Sequence, residues 1–137
     1  MNSDRKPTPK PSADALPYWE AAKRHEFVLP FCKSCEKFFF YPRPFCPRDF
    51  SWDIEWKVAS GKGTLHAFTI ISRPLQPGFE APYVAALIEV EDCARVMTNL
   101  VDVEPDPAKI EIGMPVEVVF EDRDDDTVVP QFRPLER

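Results

Sequence analysis

The chain has 137 residues, a formal net charge of −6 and an uneven composition, with 16 prolines and only 4 glycines. Its length suits one domain, or a small domain with a short appendage. No stretch approaches the roughly 18 apolar residues of a membrane-spanning helix. So much proline excludes a bundle of long helices, and so little glycine disfavours a glycine-rich phosphate loop. The acidic charge disfavours a general nucleic-acid-binding protein.

The start of the chain is polar and rich in proline. Residues 1–12 contain three prolines and three Lys or Arg, which predicts a flexible arm. Because no apolar stretch follows the first Met, a secretory signal is not expected, and a reducing cytoplasm is the expected location.

A short helix is predicted over 15–24. Asp14 is its expected N-terminal cap, and Pro17 falls in its first turn, where the missing N–H does no harm. Its apolar stripe either packs on the rest of the domain or faces a partner. The stripe contains Leu16, Tyr18, Trp19 and Ala22.

Short β-rich runs fill the remainder. Strands at 27–31 and 38–41 are predicted to flank a turn at Cys32, and 52–59 is interpreted as an extended connector. Five further runs are separated by Pro, Gly, Asp or Glu. They are 64–72, 83–90, 96–101, 116–120 and, more weakly, 127–132. Five such strands predict a small β-barrel such as the OB-fold.

Charge divides the chain in the same way. Residues 1–66 hold 11 Lys or Arg and 8 Asp or Glu, whereas residues 67–137 hold 6 and 15. The barrel is therefore strongly acidic and the front piece mildly basic. The predicted organisation is an arm over 1–12, a helix and ribbon over 13–58, and a barrel over 59–137.

Three of the four cysteines lie close together in the front piece. Cys32 and Cys35 form one C-x-x-C turn, and Cys46 begins a second turn that has Asp49 at its other ligand position. Two such turns build a tetrahedral zinc site, because the two-residue gap lets both donors reach one ion. An Asp oxygen ligates zinc but is harder than a thiolate. We therefore predict a zinc site of Cys32, Cys35, Cys46 and Asp49 that binds more weakly than four thiolates.

Alternatives to this site stay open. His25 is a possible substitute ligand, but it falls at or beyond the helix end. The ribbon's many aromatic side chains could also hold it together without metal. A redox role for Cys32 and Cys35 is disfavoured because no βαβ unit surrounds them. Cys93 lies in an acidic turn and is expected to be inert.

The order of helix, ribbon and barrel resembles one family in particular. This is the family of acyl-CoA-associated OB-fold proteins that carry an N-terminal rubredoxin-like zinc ribbon, long called domain of unknown function thirty-five. The likeness rests on short motifs that run from 13 to 134. They are YWE at 18–20, LPFCKSC at 29–35, YPRPFCP at 41–47, GKGTL at 61–65, PYVA at 82–85, IGMPVEV at 112–118 and FRP at 132–134. Asp49 departs from the family's usual fourth cysteine.

The resemblance implies a non-catalytic subunit. Such proteins are companions of thiolase-superfamily enzymes, including acyl-CoA thiolases and lipid-transfer-protein-like aldolases. The companion supplies the catalytic groups, while the ribbon and barrel shape the acyl-CoA channel and stabilise a hetero-oligomer. The residues agree, because the chain offers only His66 and Cys93, far apart, as groups for catalysis.

Exposed apolar groups should mark the docking face for such a partner. The expected contacts with the partner or with acyl-CoA are Arg73, Phe79 and Tyr83, in and beside the loop between two strands, together with the aromatic ribbon. Basic residues of the ribbon could contact an acidic partner or the phosphates of CoA. The alternative is that they form a solvated face. They are Lys33, Lys37, Arg43 and Arg48.

Two rival functions are considered. The first is an OB-fold protein that binds single-stranded nucleic acid, although such proteins need a basic groove with stacking aromatics. The second is a free-standing acyl-CoA-binding protein. We expect no nucleic acid and no membrane among the partners.

Overall fold

A computed structural model describes residues 9–73, 78, 80–91, 94–123 and 127–135. Eight strands, one α-helix and two 3-10 turns make up the described fold. In chain order they are a 3-10 turn Ala13–Ala15, α1 Leu16–Lys23, β1 Val28–Cys32, β2 Lys37–Phe38, β3 Ile54–Val58, β4 Lys62–Ile71, β5 Tyr83–Val90, β6 Ala94–Leu100, a 3-10 turn Pro107–Lys109, β7 Pro115–Asp122 and β8 Val128–Pro134. The predicted mainly β fold is confirmed. Residues 1–8 of the predicted arm lie outside the described residues.

The helix is shorter than predicted and begins differently. Asp14 lies inside the 3-10 turn, and no side chain caps α1, so the predicted cap is wrong. The buried face contains Tyr18, Ala21 and Ala22, whereas Leu16 is exposed. An eight-residue helix is too short to be stable alone. Packing of the Tyr18 face must therefore hold it in place.

The helix ends in a Schellman motif without glycine. The N–H of His25 donates to the carbonyl of Ala22, and the N–H of Glu26 donates to that of Ala21. His25 takes the left-handed conformation that glycine usually supplies, with φ of 59°. This turn directs the chain into β1 and places the His25 ring over Phe120 of the barrel.

The ribbon is a three-stranded antiparallel sheet in the order β2-β1-β3. The interpretation of 52–59 as a connector is wrong, since β3 pairs with β1 along its whole length. Pro30 is tolerated in the central strand because β2 ends beside it at Phe38. Its carbonyl still accepts a hydrogen bond from the N–H of Phe39.

The remaining strands close into a barrel in the order β4-β5-β6-β8-β7. Four of the pairings are antiparallel, and closure comes from a parallel contact between Leu100 of β6 and Phe132 of β8. A bulge between Leu65 and Ala67 lets the long strand β4 bend from β7 to β5. This is the five-stranded OB-fold that the sequence predicted.

Ribbon, helix and barrel share one hydrophobic core. The ring of Phe27, just before β1, meets Phe132 of β8 edge to face at 5.7 Å, and Tyr18 of α1 packs on Phe27 at 6.2 Å. All three side chains are buried. The ribbon is thus fixed against the barrel by aromatic packing. No helix in the described part of the chain is long and apolar enough to cross a membrane.

Phe132→Ala should destabilise the whole domain. Phe132 is fully buried where the barrel closes and the ribbon docks, and truncating such a residue costs about 3–5 kcal/mol. Phe50→Ala is the matched control, because Phe50 is 68% exposed and should change stability by no more than about 0.5 kcal/mol. Urea unfolding of both variants measures this. Equal effects would contradict the shared core.

Stability should fall at alkaline pH because of Tyr18. Burial, and to a lesser extent the charge of Tyr41, raises the pKa of Tyr18 well above its usual range. As pH rises through about 10, the unfolded chain ionises this phenol while the folded chain does not, so unfolding is favoured. Tyr18→Phe should reduce this alkaline loss, as measured by urea unfolding across the pH range. Tyr41→Phe, at a half-exposed position, should leave most of the alkaline loss of stability in place.

Candidate metal centre and apolar groove

Four metal-ligating groups converge at one end of the ribbon. The Sγ atoms of Cys32, Cys35 and Cys46 and a carboxylate oxygen of Asp49 all lie within 4.8 Å of one another. Cys32 and Cys46 are buried, Cys35 is half-buried and Asp49 lies at the exposed rim. The structure therefore brings together the four residues that the sequence proposed.

The two ligand turns have the same backbone construction. In the first, the N–H of Glu36 donates to the carbonyl of Cys32, and in the second the N–H of Phe50 donates to that of Cys46. Glu36 and Phe50 are both left-handed, with φ of 57° and 61°. Asp49 thus occupies in the second turn the position that Cys35 holds in the first.

Backbone N–H groups point at the sulfurs of both leading cysteines. The N–H of Cys35 donates to Sγ of Cys32, and the N–H of Arg48 donates to Sγ of Cys46, each at 3.4 Å. Burial alone would raise the pKa of Cys46, but the N–H groups of Asp49 and Arg48 hold that pKa below its ordinary value. Burial raises the pKa of Cys32 to about 11. Metal binding must therefore displace a proton from Cys32.

Asp49 is held as an ionised ligand. The N–H of Ser51 donates to its Oδ1 at 3.0 Å, and this bond, with a smaller contribution from the Ser34 hydroxyl, lowers the pKa of the carboxyl. The carboxylate lies 3.6 Å from Sγ of Cys32. Three sulfurs and one oxygen within 4.8 Å of one another are a donor set that suits zinc, and the residues present therefore fit this ion.

His25 is not part of this group. It stacks on Phe120 with ring centroids 5.1 Å apart, and its Nε2 lies 3.7 Å from Asp122. His66 is exposed beside the bulge in β4. Cys93 lies outside the described residues.

The predicted partner contacts have different outcomes. Tyr83 lines an apolar groove of about 410 Å³ between α1, the ribbon and the barrel. Arg73 is exposed just after β4, and Phe79 lies outside the described residues. The walls of the groove are largely aromatic and aliphatic. They include Tyr18, Trp19, Phe40, Tyr41, Ile71 and Met97.

Polar side chains at the floor of the groove are bound within the barrel. The amide of Asn99 donates to the carbonyl of Val84 at 3.0 Å, and Oε1 of Gln131 accepts from the N–H of Asn99 and the hydroxyl of Thr98. Sequence reasoning missed these residues and Met97. The available signal was the alternation of β5 and β6, whose outward positions carry few charges.

Comparison with known proteins agrees with the fold and the metal centre. Two family models match, the ChsH2 rubredoxin-like zinc ribbon domain over 19–55 and the ChsH2 C-terminal OB-fold domain over 56–121. A DUF35 domain-containing scaffold protein of Methanothermobacter thermautotrophicus is 38% identical over 100 residues, which cover 72% of this chain and 74% of that protein. The chain belongs to the DUF35 family. The resemblance inferred from the motifs is thereby confirmed.

Two further matches are to a longer protein and to a chain of a complex. A probable enoyl-CoA hydratase alpha subunit of Thermomonospora curvata is 38% identical over 129 residues, but the match spans only 40% of that protein. A solved structure of an Ltp2-ChsH2(DUF35) aldolase contains a chain that is 37% identical. It matches with a TM-score of 0.81 over 92% of this chain and 98% of that one.

Replacing the carboxylate by a thiolate should strengthen metal binding. Asp49→Cys completes four thiolates, and we expect zinc to bind about tenfold more tightly or better. Competition with a chromogenic chelator measures this. Asp53→Cys is the control, because Asp53 is exposed, lies beside Lys33 and does not belong to the ligand group. If both variants bind zinc as the wild type does, Asp49 is not at a ligand position.

Proposed function

We propose that this protein is a non-catalytic subunit of a thiolase-superfamily enzyme, either a thiolase or a lipid-transfer-protein-like aldolase. It docks on the catalytic subunit and helps to shape or stabilise the acyl-CoA site. The observation that carries the proposal is the match, over nearly the full length of both chains, to a chain of the Ltp2-ChsH2(DUF35) aldolase. The CoA-related names of larger relatives support acyl-CoA as the substrate class.

The chain's own residues fit a supporting role. Cys32, Cys35, Cys46 and Asp49 would hold one zinc ion, which on binding would cross-link the two ligand turns. The thiols suit a reducing compartment, and the proposal places the complex in the cytoplasm. Arg73, Phe79 and Tyr83 remain proposed contacts with the partner or acyl-CoA.

Co-purification from the native host tests the proposal. A tagged chain should retain an enzyme that mass spectrometry identifies as a thiolase-superfamily subunit, and the two purified proteins should re-form a hetero-oligomer of defined mass. Acyl-CoA turnover should require that enzyme and should be absent from the tagged chain alone.

Three outcomes would contradict this function. One is a chain that retains no such enzyme. The second is a monomer that binds acyl-CoA tightly by itself, which favours a free-standing carrier. The third is salt-sensitive binding of single-stranded oligonucleotides, which favours an OB-fold protein that binds nucleic acid.

A further inference from the structure

The barrel closes at a narrow seam between β6 and β8. Leu100 and Phe132 are the one pair of partners in the described register of these two strands, whereas β5 and β6 pair along most of their length. Beside that pair, a side chain replaces the backbone ladder, because the N–H of Asn99 donates to Oε1 of Gln131 at 3.3 Å. We call the side chains of Asn99 and Gln131 together the seam amides.

The seam amides lie where two depressions of the surface adjoin. One is the apolar groove of about 410 Å³, and the other, of about 420 Å³, extends past the end of β6 as far as Glu80. Tyr83 lines both depressions, as do the two seam amides. Clefts of roughly 300–1,000 Å³ with mostly apolar walls and a few polar groups are the usual form of a small-molecule site.

Backbone partners fix the orientation of both seam amides. The atom of Asn99 that meets the carbonyl of Val84, at 3.0 Å, must be the nitrogen Nδ2, since a carbonyl only accepts. The atom of Gln131 that meets the N–H of Asn99 must be the oxygen Oε1, since an N–H only donates. Among the residues that the structure describes, Oδ1 of Asn99 and Nε2 of Gln131 have no hydrogen-bond partner.

Nε2 of Gln131 faces the depressions although the residue is almost completely buried. Gln131 is only 2% exposed, and a fully buried nitrogen without a partner is costly. Within the described part of the chain, every fully buried side-chain nitrogen or oxygen has a partner. Nε2 must therefore lie at the small exposed area of Gln131, which borders the two depressions. A donor and an acceptor thus stand on hydrogen-bonded neighbours in a largely apolar wall.

A donor beside an acceptor matches one kind of ligand group. The carbonyl and the N–H of a secondary amide are the complementary acceptor and donor. Because a buried donor without a partner is costly, such a site selects ligands that hydrogen-bond to it. The groove next to the seam amides suits a hydrocarbon chain attached to that amide. Its apolar walls include Trp19, Phe40, Ile71 and Met97.

Charge disfavours a phosphate at the seam. Neither Lys nor Arg is among the described residues that line the two depressions, and the carboxylate of Glu80 would repel an anion. An acyl-CoA has one section that is neutral, contains secondary amides and carries the acyl chain, namely the pantetheine arm. This section matches the seam amides and the apolar groove, whereas the phosphates of CoA do not.

We propose that the seam amides bind the pantetheine arm of an acyl-CoA, with the acyl chain in the apolar groove. Nε2 of Gln131 donates to a carbonyl of the arm, and Oδ1 of Asn99 accepts from an amide N–H of the arm. This inference rests on the proposed function for the choice of acyl-CoA. The phosphates lie beyond the seam, so the chain by itself holds only part of the ligand and binds it weakly.

Titration of the full chain with S-octanoyl-pantetheine tests the seam. In heteronuclear NMR spectra, the side-chain amide signals of Gln131 and Asn99 should shift and saturate with a dissociation constant on the order of 1 mM. The comparison ligand is the octanoyl thioester of mercaptoethanol, which keeps the acyl chain but has no amide. It should bind about tenfold more weakly, because it leaves both seam amides unpaired. This comparison uses the wild-type protein and does not depend on how a variant folds.

Gln131→Glu removes the donor and keeps the acceptor. The carboxylate retains an oxygen for the N–H of Asn99 but has a second oxygen in place of Nε2, so S-octanoyl-pantetheine should bind about tenfold more weakly. Glu111→Gln is the control, because Glu111 is exposed outside both depressions, and it should bind as the wild type does. Circular dichroism checks folding, and Asn99→Ala, which removes Oδ1, serves if Gln131→Glu does not fold.

Each other outcome has a defined meaning. If the seam amide signals stay fixed, or the amide-free thioester binds as tightly, this inference is wrong and the proposed function is untouched. If the signals shift but co-purification retains no enzyme, only the proposed function is wrong. Tighter binding of the neutral peptide acetyl-leucine-methylamide assigns the seam to the main chain of a protein partner and overturns the inference. Octanoyl-CoA that binds a hundredfold more tightly than S-octanoyl-pantetheine contradicts the placement of the phosphates beyond the seam.

Discussion

The packing of Phe27 on Phe132 is the contact on which the arrangement of this molecule depends. Phe132 is also the residue of β8 that meets Leu100 of β6, so the same side chain lies where the barrel closes and where the ribbon docks. Tyr18 of α1 packs on Phe27 and so joins the helix to this aromatic cluster. Because these rings are buried together, the ribbon cannot swing away from the barrel without opening the core. The groove between them is therefore a permanent feature of the fold.

The metal centre is a separate source of order. Its two turns have equivalent backbone hydrogen bonds. In each turn the residue after the second ligand, Glu36 or Phe50, has a left-handed backbone although it is not glycine. The left-handed backbone conformation costs free energy for a bulky residue such as Phe50. The second turn adopts it nevertheless, with the Phe50 ring largely exposed. Cys46 and Asp49 are thus presented as a pair by the backbone. The four donors link the two turns, while the aromatic core fixes the ribbon to the barrel.

The groove between the ribbon and the barrel contrasts in charge with the acidic half of the chain. That half carries 15 acidic and 6 basic residues, whereas the described residues that line the groove are apolar or neutral. Charge returns close by, at Glu80 in a depression that shares Tyr83 with the groove and at the paired Glu89 and Arg95 of β5 and β6.

Much of this could be predicted from local sequence. Proline and glycine counts excluded helical bundles, the strand runs predicted a five-stranded barrel, and the spacing of Cys32, Cys35, Cys46 and Asp49 identified the ligand group. These features depend on residues close together in the chain, where pattern and turn chemistry are informative. Other features arise from long-range packing. Three features needed the tertiary structure: the role of β3 as a ribbon strand, the position of His25 on Phe120, and the meeting of Tyr83 and Met97 in one groove. No local pattern records which distant elements of the chain meet.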